Sequence, residues 1–304
     1  MKTKIVIIIL LFVTMSGFAQ QDAQYTNYMY NTTNINPAYA GSRGVISVFG
    51  LHRTQWVGLD GAPVTNAFSI HTPIENSDLG VGLSFVNDRI GVSDENTISA
   101  DISYTIQTTY NYNLSFGIKG TANLLNVDYT KLDRYDMNDP QFQNNIDNKF
   151  SPNIGAGVYF YSDKLYLGFS VPNFLETKYF NDNQSSTVKE QMHYYLIGGY
   201  VFDLSRDIKF KPTFLSKIVA GAPLQLDVSA NVLFNEKFSA GLAWRWGAAM
   251  SAMVGLQLTD GLFVGYGYDL ETTKLENYNS GSHEIFLRFE LIKNKRMVVS
   301  PRFF

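Results

Sequence analysis

The sequence predicts an all-β fold: a transmembrane antiparallel β-barrel of the outer membrane, with about 14 strands and a plug-like N-terminal segment. Three observations predict it. From residue 45 onward, hydrophobicity alternates with a period of two almost everywhere. The links between the alternating runs sort by parity, short ones after even-numbered runs and the longest after odd-numbered ones. The chain opens with the pattern of an export signal and contains no cysteine, so its stability must come from something other than disulfides.

The elements follow in chain order. Residues 1–19 read as a signal peptide: Lys2 and Lys4 give the positive start, Ile5 to Val13 the apolar run, and Gly17-Phe18-Ala19 the small residues for cleavage after Ala19. The apolar run is too short to span a bilayer, and no later stretch approaches the roughly 20 apolar residues a spanning helix needs. Cleavage removes two lysines and takes the formal charge from −3 to −5, with no basic stripe for nucleic acid. Residues 20–44 are polar and aromatic, rich in Asn and Tyr, without helical period, and form a candidate lumen plug.

Residues 45–292 form the predicted barrel. The clearest run sets Leu224, Leu226, Val228, Ala230 and Val232 against Gln225, Asp227, Ser229 and Asn231. A second sets Ile98, Ala100, Ile102, Tyr104 and Ile106 against Thr97, Ser99, Asp101, Ser103 and Thr105, and a third Ile285, Leu287, Phe289 and Leu291 against Glu284, Phe286, Arg288 and Glu290. Most runs are about ten residues, the length of a tilted membrane strand. If the chain starts in the periplasm, the short links at 162–163, 203–206, 235–236 and 259–260 face inward, while 126–151, 171–190 and 270–281 face outward. Two outward links, near Gly221-Ala222 and Gly247-Ala248, are short, so part of that rim should be low. Both chain ends are expected on the periplasmic side. Residues 293–304 form a tail in which a basic stretch, Lys293 to Arg296, precedes the terminal Phe303-Phe304.

The apolar face suits lipid and the other face the lumen. Asp101, Lys119, Asp227, Arg245, Arg288 and Glu290 alternate with apolar neighbours and are expected inside, because an Arg or Lys on the lipid side near midplane costs about 2–4 kcal/mol. Trp56, Tyr161, Tyr194, Trp244, Trp246 and Tyr268 suit interfacial girdles. A soluble barrel or sandwich is the bland alternative, but it gives no reason for links to sort by parity.

No constellation carries catalysis. His52, His71, His193 and His283 are scattered without metal-ligand spacing, and no nucleophile-elbow, zinc-protease or phosphate-loop pattern occurs. No cofactor is expected. Asp128, Asp133, Asp136, Asp139 and Asp147 share an acidic link whose spacing does not match a calcium loop, so a solvated link is the expectation.

The start of the mature chain reads Gln21 to Tyr25, Tyr28-Met29-Tyr30-Asn31, then Ile35-Asn36-Pro37-Ala38-Tyr39-Ala40-Gly41-Ser42-Arg43. The first hairpin reads Arg53-Thr54-Gln55-Trp56-Val57-Gly58 and Gly61-Ala62-Pro63-Val64-Thr65; Ser170 to Phe174, Gly221-Ala222-Pro223 and Ser300 to Phe304 follow. In these residues the chain resembles the PorP/SprF family of outer-membrane proteins, tied to type IX secretion and gliding motility in Bacteroidetes. The resemblance spans essentially the whole mature chain.

It implies a non-enzymatic role in export or surface attachment of secreted cargo such as gliding adhesins. Implied partners are outer-membrane lipid, cargo C-terminal domains, and periplasmic secretion or peptidoglycan-linked proteins. The motif residues Asn36, Pro37, Tyr39, Gly41, Arg53, Gln55, Trp56, Gly58, Gly61 and Pro63 become candidate partner contacts. Outward residues Trp56, Asp60 and Tyr179 are expected to matter for binding more than for folding. The alternative reading is a channel or transporter for small or hydrophobic solutes; an enzyme is a third, without a visible catalytic set.

Overall fold

The structure, a computed structural model, describes residues 24–132, 144–175, 191–220 and 222–292. The expected signal peptide, the C-terminal tail, Tyr179, Asp133, Asp136 and Asp139 lie outside them.

Fourteen strands close into one antiparallel ring: β1 (Ile46–Thr54), β2 (Val64–Pro73), β3 (Leu79–Ile90), β4 (Ser93–Thr109), β5 (Tyr112–Val127), β6 (Ile146–Tyr161) and β7 (Leu165–Val171). Then come β8 (His193–Tyr200, resumed after Val201 as Phe202–Asp203), β9 (Ile208–Val219), β10 (Gln225–Phe234), β11 (Phe238–Arg245), β12 (Ala249–Gln257), β13 (Leu262–Glu271) and β14 (Ser282–Leu291). Each strand pairs with its sequence neighbours, and β14 closes on β1 in register from Ile46↔Leu291 to Thr54↔His283. Closure gives every strand two neighbours, which is how a barrel satisfies its backbone in a bilayer. No helix of the described residues is long and apolar enough to cross a membrane.

The period-two pattern sets the faces. Ile285, Leu287 and Phe289 are exposed on the outer wall, while Glu284, Phe286 and Arg288 are buried inside. The same split holds for Ile98 and Ile102 against Ser99 and Asp101. Trp244, Trp246 and Tyr194 lie on the outer wall. Tyr161 does not: it is buried inside with Tyr159, and Phe160 takes the outer position. Both faces of that stretch are aromatic, so hydropathy could not choose between them.

The links sort as expected, with one addition. Asp88↔Glu95, Arg89↔Asp94 and Ile90↔Ser93 extend the β3–β4 pairing, so this charged stretch is a paired hairpin. It turns at Gly91, which takes φ 58°. This makes a third short link on the long-link rim.

β7 covers β6 only from Ala156 to Tyr161. Beyond it, Phe174 N–H donates to Ile154 O (2.8 Å). Pro152, which has no N–H to give a further neighbour, sits on this part of β6, where β7 no longer runs alongside.

Residues 24–44 run through the ring from one rim to the other. Gly44 joins β1 at the short-link rim, where β14 also ends. Gln24 lies at the long-link rim, donating from Nε2 to Gln225 Oε1 (3.3 Å). Gln24 and Gly44 therefore lie at opposite rims, while the chain ends, expected on one side, lie outside the described residues.

Candidate functional site

Asn, Thr and Ser prefer local turns to regular helix, because their side chains compete for backbone groups. The segment accordingly holds only one helical turn, Thr32–Ile35, and one 3-10 turn, Pro37–Tyr39. Asn36 organises the second: its Oδ1 accepts from Ala38 N–H (3.0 Å) while its Nδ2 donates to Val158 O on β6 (3.0 Å). Eight backbone bonds close successive turns within residues 27–44, and the barrel wall supplies partners for further backbone groups of the segment.

Those partners follow the chain downward from the long-link rim. Arg245 Nη2 donates to Tyr25 O (3.1 Å), while its Nε donates to Asp227 Oδ1 (2.6 Å). Thr26 N–H and Asn27 N–H both donate to the Glu284 carboxylate (2.9 and 2.8 Å), and the Thr26 hydroxyl donates to Asp269 (2.7 Å). Arg53 bridges the two acids, with Nη2 to Asp269 Oδ2 at 2.7 Å and Nη1 to Glu284 Oε2 at 3.2 Å. At mid-height the Tyr30 ring stacks on Phe286 and Phe263 (centroids 4.7 and 5.4 Å), and Lys211 Nζ lies 5.0 Å from its centre.

Lower still, Ser103 Oγ donates to Ala40 O (2.7 Å), and Gly41 N–H donates to His71 Nδ1 (3.1 Å). Arg43 Nε meets Glu290 Oε1 at 2.6 Å beside the start of β1. The wall also makes room. A Cβ at Gly117 would overlap the backbone of Pro37 and Ala38, and one at Gly157 would overlap the Asn36 amide.

The expected lumen charges all sit inside. Lys119 pairs with Asp101 (3.3 Å), Arg245 with Asp227, and Glu290 with Arg43, while Arg288 lies 5.6 Å from the Tyr30 ring centre. The family motif divides. Asn36, Pro37 and Tyr39 are buried inside the ring, Gly41 bends the chain toward β1 with φ 74°, and Arg53 is buried in its acid pair. Four of these five are thus enclosed by the barrel, and Gly41 is half-buried. Gln55, Trp56, Gly58, Gly61 and Pro63 lie in the β1–β2 link at the long-link rim, where Trp56 Nε1 donates to Glu271 Oε2 (3.2 Å).

Sequence reasoning missed Thr26, Asn27, Asp269 and Glu284 as a set. The two acids stand at inward positions of their alternating strands, and that was the available signal. Among the described residues no group of acids or histidines could hold a metal ion. Asp128 Oδ1 accepts from the Thr130 hydroxyl (2.6 Å) and from Asn145 Nδ2 (3.1 Å); the Thr130 hydroxyl bond, joined by Lys131, holds its pKa at about 2.

Two solved channels share the fold at TM-score 0.50. The monoaromatic hydrocarbon channel CymD aligns with TM-score 0.50 at 10% identity, over 91% of this chain and 96% of its own. The TodX deltaS2S3 mutant monoaromatic hydrocarbon channel aligns with TM-score 0.50 at 11% identity, over 86% and 94%. Acinetobacter baumannii outer membrane protein Omp33 gives TM-score 0.49 at 8% identity, over 81% and 98%. At such identities the likeness is one of fold. No curated protein matches the sequence. The family model of the type IX secretion system membrane protein PorP/SprF matches residues 17–289, and the chain belongs to that family of outer-membrane barrels.

Proposed function

We propose that this chain is a non-conducting outer-membrane scaffold of type IX secretion, supporting export or surface attachment of secreted cargo such as gliding adhesins. In this reading the short-link rim faces the periplasm, as in other bacterial barrels. The long-link rim, with the β1–β2 link and the link from 172 to 192, receives cargo C-terminal domains. The short-link rim meets periplasmic secretion or peptidoglycan-linked proteins.

The observation that carries it is the course of residues 24–44, which are bonded to the wall from rim to rim. A lumen filled this way favours a partner-binding scaffold over a solute channel, since passage would require breaking the buried Arg53 pairs and the Tyr30 stack. The test is replacement of the 55–63 link by a short Gly-Ser turn in cells that secrete type IX cargo. Loss of surface-attached cargo with an intact folded barrel is the expected result. Unchanged display after replacing both this link and 172–192 would move the binding surface elsewhere.

A further inference from the structure

At the short-link rim, where the internal segment nears β1, lies a pocket of about 250 Å³. Ala40 and Gly41 of the segment line its inner end. They press on the wall at Gly80, where an added Cβ would overlap Ala40 O and Ser103 Oγ. The β2–β3 turn and the short-link ends of β4, β5 and β6 form the sides, bringing in Asp78, Thr105, Gln107, Asn113 and Tyr161. Thr105 N–H donates to Asp78 O (2.9 Å), which sets this turn residue opposite the inward face of β4.

The lining is richer in unspent acceptors than in unspent donors. Asp78 is its only charged side chain, it is exposed, and among the described residues no cation pairs with it. Gln107 Nε2 donates to Tyr110 O (3.2 Å), which leaves its Oε1 to accept. Thr105 Oγ1 donates to Ser115 Oγ (3.2 Å), which leaves its lone pairs to accept. The Asn113 amide can act either way. A matching guest is therefore a cation with several N–H donors. Guanidinium answers this best, since it is always charged, carries its donors in a rigid fork and has no acceptor of its own. The pocket has room for a side chain and not for a folded domain.

We infer that this pocket receives an arginine side chain from a loop of a periplasmic protein. Asp78 takes one edge of the guanidinium, and Gln107 and Thr105 accept its remaining N–H groups. The inference rests on the reading that the short-link rim meets periplasmic proteins, and it names the chemistry of that contact. Because the internal segment lines the pocket, such a guest touches segment and wall at once.

The test is saturation-transfer NMR on the purified full barrel in lipid nanodiscs. The probe is the blocked peptide acetyl-Gly-Arg-Gly-amide, and acetyl-Gly-Gln-Gly-amide is the control. Transfer to the arginine side chain is expected, with affinity falling about fivefold or more in Asp78→Asn. Asp163→Asn, which removes an exposed short-link acid outside the pocket, should leave it unchanged. Heat-modifiable gel migration checks folding. In secreting cells, Asp78→Asn should reduce surface-attached cargo. The pocket assignment is overturned if the arginine peptide shows no transfer, if the glutamine peptide binds as well, or if Asp163→Asn weakens binding as much. Binding that appears only after Lys293, Lys295 and Arg296 are changed to Gln gives the pocket to the chain's own tail and also overturns it. Peptide binding as expected, with full cargo display in Asp78→Asn cells, overturns the periplasmic guest alone. The 55–63 replacement at the opposite rim tests the cargo reading separately from all of these.

Discussion

Arg53, Asp269 and Glu284 are buried together, with Arg53 only 2% exposed and Glu284 fully enclosed. Removing one partner of a buried ion pair leaves an uncompensated charge and costs about 3–5 kcal/mol. Arg53→Leu, which leaves Asp269 and Glu284 buried without their shared cation, should lower barrel stability by that amount, which urea unfolding in lipid vesicles would measure. None of this pairing was legible in the sequence. Arg53 lies 216 residues from Asp269 and 231 from Glu284, and only ring closure brings them together. What could be read was the direction each side chain faces, because alternation is a local property. At Asp128 a depressed carboxylate contributes stability above its ordinary pKa of 3.8 and loses it as pH falls through about 2. Thr130→Ala should move the Asp128 pKa back toward its ordinary value, as a carboxyl-carbon NMR titration would show.

Strands were legible as elements because each carries its own period and length. The links were legible by parity, except where charged residues formed strand, as in Asp88 to Glu95. Residues 24–44 were legible as a distinct segment, Asn-rich and without periodicity, yet their path was not. That path depends on wall positions lacking a Cβ, and a glycine in a strand does not announce what approaches it. Gly117→Val should push residues 36–38 off β5 while leaving the outer wall unchanged, at about 1–3 kcal/mol of strain. Channel current in planar bilayers is the readout. The native barrel should stay closed and the variant should show openings; an equally silent variant that still folds would weaken the account of how the segment is held.

At the scale of the whole molecule, the structure is a ring with an apolar outer wall, a polar interior crossed by buried ion pairs and a chain threaded from rim to rim. The threading separates Gln24 from Gly44 by the height of the barrel, so it can be tested by which side of the membrane each rim faces. The native chain has no cysteine, which makes single-cysteine labelling free of background. Intact cells carrying Gln24→Cys, Asp60→Cys or Ser205→Cys are treated with a membrane-impermeant maleimide. Gln24→Cys and Asp60→Cys should label on intact cells, and Ser205→Cys, in a short link, only after the outer membrane is permeabilised. Labelling of Gln24→Cys only after permeabilisation, together with Ser205→Cys, would contradict the threaded barrel.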